Sequence, residues 1–285
     1  MLKMKKNSDT FIGCTCEYDE ASVVLFGAPY DGTTSNRPGA RFGGAAIRRE
    51  SQGLETFSPY LERDLSELKV FDGGELELSF GAPVPVLKTI YNYTKQIINS
   101  VKIPVMLGGE HLVTLGAVRA IVEKYSDLVI IDFDAHIDLR DEYMGQKLSH
   151  ASVIRRCYEL TGDGRIFQFG VRSGDKAEFE WGKEKVFTQR FTLDGLESVI
   201  KKINKKPVYF TIDLDVLDSA VLPATGTPEA GGISFNEILD GIKKVCRLNI
   251  VGCDLTELSP PYDHTGASTA TACKVLRELL LSLNV

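Results

Sequence analysis

No apolar run in this 285-residue chain approaches the ~20 residues that a membrane-spanning helix requires, so a membrane protein is not expected. Basic residues are outnumbered: 33 Lys and Arg against 39 Asp and Glu leave a net charge of -6. Phosphate backbones need a concentrated cationic face, which excludes nucleic acid as the expected partner. The Lys201-Lys202, Lys205-Lys206 and Lys243-Lys244 pairs read as solvated helix faces. The six cysteines (Cys14, Cys16, Cys157, Cys246, Cys253, Cys273) form no spaced framework, and Cys14-Thr15-Cys16 lacks the two-residue gap of a redox or zinc pair. Free thiols in a cytoplasmic protein are expected. The start Met1-Leu2-Lys3-Met4-Lys5-Lys6 is basic, but no apolar region follows it, so no secretory signal is expected. No Pro/Gly/Ser linker, composition shift or internal repeat divides the sequence. A single domain over residues 1–285 is the expectation, with 43% hydrophobic residues sufficient for one large core.

Compact apolar runs alternate with amphipathic stretches. Strands are predicted at Val23 to Phe26, Lys69 to Phe71, Pro104 to Leu107, Leu128 to Phe133, Ile166 to Gly170, Lys185 to Phe187, Val208 to Ile212 and Asn249 to Cys253. Most are apolar throughout rather than alternating, as parallel strands covered on both faces must be. Three- and four-residue apolar spacing predicts helices at Val84 to Ser100, Thr114 to Tyr125, Ser149 to Leu160, Leu193 to Ile203, Ser234 to Cys246 and Ser268 to Leu283. Ser234 reads as an N-cap whose capping box Glu237 completes. The alternation predicts an α/β fold, a three-layer α/β/α arrangement around a mostly parallel sheet of about eight strands.

Three strand ends carry unusual chemistry. Gly108-Gly109-Glu110-His111 follows one, Asp132-Phe133-Asp134-Ala135-His136-Ile137-Asp138 follows the second, and Asp213-Leu214-Asp215 follows the third. Buried strands do not finish in clustered negative charge unless something positive is held there, because unpaired buried carboxylates are too costly. In open α/β sheets the functional crevice lies beyond the carboxyl ends of the strands, which is where these residues fall. In an extended chain Asp213 and Asp215 would share a face, their attachment points ~6.6 Å apart. Asp134, His136 and Asp138 share a parity too, but a straight strand would spread them over ~13 Å, so a sharp turn is expected after Asp134. His111, His136, Asp134, Asp138, Asp213 and Asp215 make six candidate ligands. Two divalent ions balance the four carboxylates, and a position remains for a solvent-derived nucleophile. Carboxylate-rich sites with some imidazole suit manganese, while zinc, nickel or cobalt would also bind.

Together these motifs resemble the ureohydrolase family, the arginases and agmatinases, over a likeness running from about Gly27 to Leu280. The resemblance implies that His111, Asp134, Asp138 and Asp213 hold one Mn2+ and that His136, Asp134, Asp213 and Asp215 hold the other, with Asp134 and Asp213 bridging. It implies hydrolysis of a guanidino group to urea and an amine. Glu257, in Asp254-Leu255-Thr256-Glu257, matches the family's guanidinium-binding glutamate. His150 matches its proton shuttle, and Asp138 would help pass a proton to the departing amine. His264 is expected in a loop without a metal. Family members form homotrimers or homohexamers, so a homo-oligomer is expected on that ground alone.

Arginases carry an Asn/Ser/Thr-rich loop for the substrate's α-carboxylate and α-amine. The loop here, Leu139 to Ser149, lacks it and resembles agmatinases, as do Gly27 to Thr34 and Arg37 to Gly43. Agmatine is the expected substrate, with guanidinobutyrate, guanidine or arginine as alternatives. Departures from the family pattern at Gly44, Ser219, Ala224-Thr225 and Thr256 touch no expected ligand and bear on loop rigidity and substrate choice. A single-metal deacylase would need neither Asp138 nor His111. A non-catalytic scaffold relative should have lost a bridging aspartate or the shuttle histidine.

Overall fold

The computed structural model describes residues 9–285. The basic start Met1 to Lys6, read above as no secretory signal, lies outside the described residues. Eight parallel strands form the central sheet in the order β4-β1-β5-β10-β9-β6-β7-β8. In chain order they are β1 (Val23–Ala28), β4 (Val70–Glu75), β5 (Ile103–Gly108), β6 (Val129–Phe133), β7 (Ile166–Val171), β8 (Phe187–Arg190), β9 (Pro207–Asp213) and β10 (Asn249–Thr256). A separate antiparallel pair, β2 (Phe57–Ser58) with β3 (Arg63–Asp64), stands outside it. All eight expected strands are present. One is displaced: Lys185 and Val186 precede β8, their chain tied back by bonds from both amides to Gly182 O.

The pleat sorts side chains to the two faces. Val23, Leu25, Val105, Leu107, Ile131 and Phe133 pack under α1 (Gly43–Glu50), α6 (Leu196–Ile203), α7 (Phe235–Val245) and α8 (Ala267–Ser282). Val24, Phe26, Met106 and Ile130 pack under α2 (Pro83–Asn99), α3 (Thr114–Lys124) and α4 (Val153–Thr161), with Phe179 and Trp181 of α5 (Lys176–Gly182) at their margin. Both faces are covered, which is why the strands read as unbroken apolar runs. The layers are the α/β/α arrangement expected. Ser234 accepts from Glu237 N–H and Glu237 from Ser234 N–H, the predicted capping box of α7.

Two helices escaped the sequence reading. The α1 run GGAAIRRE buries Arg48, whose Nε lies 2.9–3.0 Å from both oxygens of Asp72 and whose Nη1 pairs with Glu75. A buried ion pair replaces the apolar stripe that helix prediction relies on. The other, α5, is only seven residues long. Among the described residues no helix is long and apolar enough to cross a membrane, and all six cysteines are free.

Four adjacent strands sit at the centre of the sheet: β5, β10, β9 and β6. Their carboxyl ends lead directly into Glu110-His111, Glu257, Asp213 to Asp215, and Asp134 to Asp138. Register brings Thr256 beside Asp213 and Phe133 beside Ile212, so these tips lie level with one another. Neighbouring strands are ~4.8 Å apart, which gathers side chains distant in sequence into one basin.

Candidate metal centre and substrate cavity

The local backbone at each tip sends carboxylates inward. Beyond β9 the chain does not stay extended, as the Asp213-x-Asp215 reading supposed, but tightens into a 3-10 turn over Leu214–Val216. Asp213 Oδ1 accepts from Asp215 N–H at 2.9 Å, an Asx-type bond that competes with the extended ladder. The two carboxylates therefore converge by a turn rather than by strand parity. The sharp turn expected after Asp134 is present: Asp134 Oδ1 accepts from His136 N–H at 2.6 Å, and Asp138 takes a φ of 50°. Ala135 N–H donates to Asp215 Oδ1 at 3.2 Å, joining the tips of β6 and β9. Asp213 and Asp215 each give one oxygen to the backbone and turn the other to the basin, whereas Asp134 Oδ1 serves the His136 N–H and also faces the ring of that residue.

His111 and His136 meet those inner oxygens. His111 Nδ1 lies 3.0 Å from Asp134 Oδ2, 3.3 Å from Asp138 Oδ2 and 3.5 Å from Asp213 Oδ2. His136 Nδ1 lies 3.0 Å from Asp215 Oδ2 and 3.6 Å from Asp134 Oδ1. Asp134 thus touches both imidazoles through different oxygens. All six expected ligands are within one cluster. His111, Asp134, Asp138, Asp213 and Asp215 are buried and His136 is part-exposed.

Donor accounting around His111 tests whether a cation fits. Thr211 Oγ1 donates to Asp254 Oδ1 at 2.6 Å, which commits its single proton. Its oxygen is then the acceptor for His111 Nε2–H at 2.9 Å. The neutral ring accordingly carries its lone pair on Nδ1, the atom facing three carboxylates. His111 Nδ1 and Asp134 Oδ2 are both buried without a hydrogen bond of usable geometry. Acceptors aimed at acceptors repel unless a proton or a metal cation lies among them; without metal the carboxylates favour a proton on the ring, and the same lone pair and oxygens form a donor set that fits a hard divalent ion. Ligand atoms of His111, Asp132 and Asp134, and those of Asp134, His136 and Asp215, each lie within 4.8 Å of one another, and the two groups share Asp134.

The electrostatics reflect this crowding. Burial alone would raise Asp134, but hydrogen bonds with His111 and His136 outweigh it and hold its carboxyl well below the usual range. Burial and then the Asp134 charge push Asp138 up to about 7. Asp213 is raised well above the carboxylate range by burial, then by Asp215 and Asp134. Burial works against the protonated forms of His111 and His136, yet the neighbouring carboxylates raise both well above an ordinary imidazole. Groups pushed so far apart mark a site built for charge.

Above the cluster opens a cavity of about 260 Å³, lined by His111, His136, Asp138, Asp213, Asp215, His150, Glu257, Ser35, Tyr143 and Arg140 among others. Glu257 is buried with a φ of 65°, and its Oε1 accepts from His111 N–H at 2.8 Å. Burial and then the charge of Glu110 raise its carboxyl well above the usual range. His150 opens a 3-10 turn before α4, where Ser149 and Ser152 form a capping box. Desolvation lowers its imidazole to about 4, so the ring is neutral at neutral pH. The exposed His264 lies in the loop before α8, away from the cavity-lining residues.

Several residues around the site had no role assigned from the sequence. Asp132 is buried beside the cluster, held by Gln168 Nε2 at 3.0 Å, and its parity within β6 was the available signal. Asp254 accepts from Tyr209, Thr211 and Thr114 hydroxyls at 2.5–2.7 Å and acts on His111 through Thr211. Thr33 and Ser35, from the loop after β1, surround the His150 ring. Nothing in sequence spacing joins that loop to position 150.

A parallel sheet in three layers, with lone-pair donors and carboxylates converging at its central strand tips beneath an open cavity, defines a metal-dependent hydrolase. The arginase family model matches residues 21–282. The agmatinase of Bacillus subtilis is 47% identical, the alignment covering 95% of each chain. The solved agmatine ureohydrolase of Thermoplasma volcanium superposes with a TM-score of 0.89 at 35% identity, over 97% of this chain and 94% of that one. A solved chain from Clostridium difficile gives a TM-score of 0.92 at 50% identity, over 94% and 98%. The chain belongs to the arginase family.

Proposed function

We propose that the protein hydrolyses agmatine to putrescine and urea, using two Mn2+ ions per subunit held by His111, Asp134, Asp138 and Asp213 and by His136, Asp134, Asp213 and Asp215. The observation that carries this reading is the Nδ1 lone pair of His111 set against three carboxylates, with Glu257 bonded to the same residue's main chain. When bound, such ions act as Lewis acids and make water a competent nucleophile near neutral pH.

The residues supply the rest. A guanidinium stays protonated and resonance-stabilised at cellular pH, so its carbon resists attack unless it is oriented. Glu257 pairs with the cation and fixes it over the cluster. Water adds to the guanidinium carbon, the bond from that carbon to the butyl-bearing nitrogen breaks, and that nitrogen leaves as an amine after taking a proton. Asp138 and His150, the latter neutral at neutral pH, are the groups that accept and return protons. Urea and putrescine balance agmatine plus water.

The tail preference follows from charge. Among the described residues lining the cavity, Arg140 is the sole Lys or Arg. It is already engaged by Asp175 at 2.9 Å and Glu178 at 3.4 Å, and its guanidinium stacks 4.9 Å from the Tyr143 ring centroid. Part-exposed Glu229, 3.9 Å from His136, adds a further carboxylate beside the cavity wall. That surround suits the ammonium end of agmatine over the carboxylate of arginine or guanidinobutyrate. The B. subtilis relative carries the same substrate in its name. A cytoplasmic homotrimer or homohexamer completes the proposal.

The test is urea release from agmatine, arginine, guanidinobutyrate, guanidinopropionate and guanidine with manganese or nickel added. Agmatine should exceed every other substrate in kcat/KM. Faster turnover of arginine overturns the substrate assignment, and one ion per subunit at saturation overturns the paired site.

A further inference from the structure

Arg172, the first residue beyond β7, has five main-chain carbonyls within hydrogen-bond distance of its guanidinium. Nη2 lies 2.6 Å from Asp215 O, 3.2 Å from Leu217 O and 3.0 Å from Glu229 O. Nη1 lies 3.2 Å from Val216 O and 3.3 Å from Gly170 O. Three of these carbonyls belong to the 3-10 turn after β9 and the residue that closes it. Gly232 leaves room for the contact: a Cβ there would sit 2.7 Å from Nη2. The main chain of Arg172 reaches the other way. Its N–H donates to Ala135 O at 2.7 Å, and Ser173 N–H donates to the same oxygen at 2.9 Å.

Ala135 separates Asp134 from His136, so one residue grips the turn that carries His136 and, through its side chain, the turn that carries Asp215. The Asx bond from Asp215 N–H to Asp213 Oδ1 shapes the second turn but does not set where it stands against the first. Arg172 does. It fixes the two turns at the spacing that leaves His136 Nδ1 and Asp215 Oδ2 3.0 Å apart. The task needs a planar fork with several fixed donors and a charge that is always present, which lysine's single ammonium does not offer. None of these bonds reaches His111 or Asp138, which come from the tip of β5 and the far end of the β6 turn.

We propose that Arg172 is a positioning residue for one half of the metal centre: it sets the His136 and Asp215 turns at ligating distance and leaves the His111 half to other contacts. The metal side of this inference rests on the paired-ion reading above; the placement of the two turns does not. The same guanidinium anchors Glu229 by its carbonyl, the residue whose carboxylate approaches His136 Nε2 at 3.9 Å.

The test reads manganese affinity and, separately, the metal-free protein. Arg172→Lys keeps a positive charge but loses the fork. Chelator competition should show one manganese weakened about 10–100-fold, the usual effect of removing a group that orients ligands, and the other unchanged within about threefold. In H136A, which strips the affected ion of its imidazole, R172K should cost nothing further. In H111A it should weaken the remaining ion by the full amount. Arg172→Met, which keeps the stem and drops every donor, should show the same selectivity and serves where the lysine variant does not fold. In metal-free protein, amide exchange across residues 214–217 should quicken about tenfold in R172K while β5 stays native. Both ions weakened alike, a further loss in H136A, or native exchange across the turn overturns the proposal. Native protein that binds a single ion sinks the paired-ion reading instead, and the exchange measurement then decides the placement by Arg172 alone.

Discussion

His111 and Glu257 come from neighbouring strands, 146 residues apart in sequence, yet the main-chain N–H of one donates to the carboxylate of the other at 2.8 Å. The residue proposed to bind the metal and the one proposed to bind the guanidinium share a single rigid link. Substitutions can separate their roles because that link runs through the backbone of His111, leaving its ring free for the cluster.

Glu257→Gln keeps an acceptor for the His111 N–H but removes the charge opposite the guanidinium. Bonds to charged groups contribute about 1.5–3 kcal/mol, which corresponds to a fall of roughly ten- to a hundredfold in kcat/KM for agmatine. Metal content should remain native. Steady-state kinetics beside elemental analysis measure both, and loss of metal would place Glu257 in the ligand set.

Asp134→Ala removes the carboxylate that reaches both imidazoles. Activity and metal should disappear together. Added manganese should raise the Tm of the native protein, since a ligand at a hundred times its Kd stabilises by about 2.7 kcal/mol, but should leave the variant unmoved. Thermal scans across a manganese titration make the comparison.

Thr211→Val takes away the acceptor for His111 Nε2–H and one donor to Asp254. The ring loses its enforced tautomer and the buried acid loses a partner. Metal affinity should fall about 10–100-fold, the usual effect of removing a group that orients a ligand. Competition with a chelator reads this directly, whereas unchanged affinity would show that packing alone holds the ring.

His150 supplies a pH dependence of stability with a defined sign. Its imidazole is lowered from 6.5 to about 4 by burial, so the unfolded chain binds the proton more readily than the folded one. Its contribution is fully present above pH 6.5 and is lost progressively as pH falls toward about 4. Replacing His150 with Phe should flatten that part of a urea-denaturation series between pH 7 and pH 4. An identical slope in both proteins would remove His150 as its source.

What the sequence made legible divides along physical lines. Val208 to Ile212 and Leu128 to Phe133 were plain as strands because burial on both faces leaves unbroken apolar runs. The acids at their ends stood out for the same reason. The curl of Asp215 back onto Asp213 was hidden, since an Asx bond and a strand end can share the same letters. Arg48 concealed α1 because its charge is neutralised by Asp72 and Glu75, residues that β4 supplies. Likewise Thr33 and Ser35 reach His150 from more than a hundred positions away, through a contact that only the folded chain creates.

The position of β10 gives the molecule an order of events. It is the last strand in the sequence, yet it lies between β5 and β9, where it joins β4-β1-β5 to β9-β6-β7-β8. Until it enters, His111 and Asp213 belong to two unconnected half-sheets. His136, Asp134, Asp213 and Asp215 all come from the β9-β6 half, so the ion position proposed for them is assembled without the keystone strand, whereas the one that includes His111 waits for it.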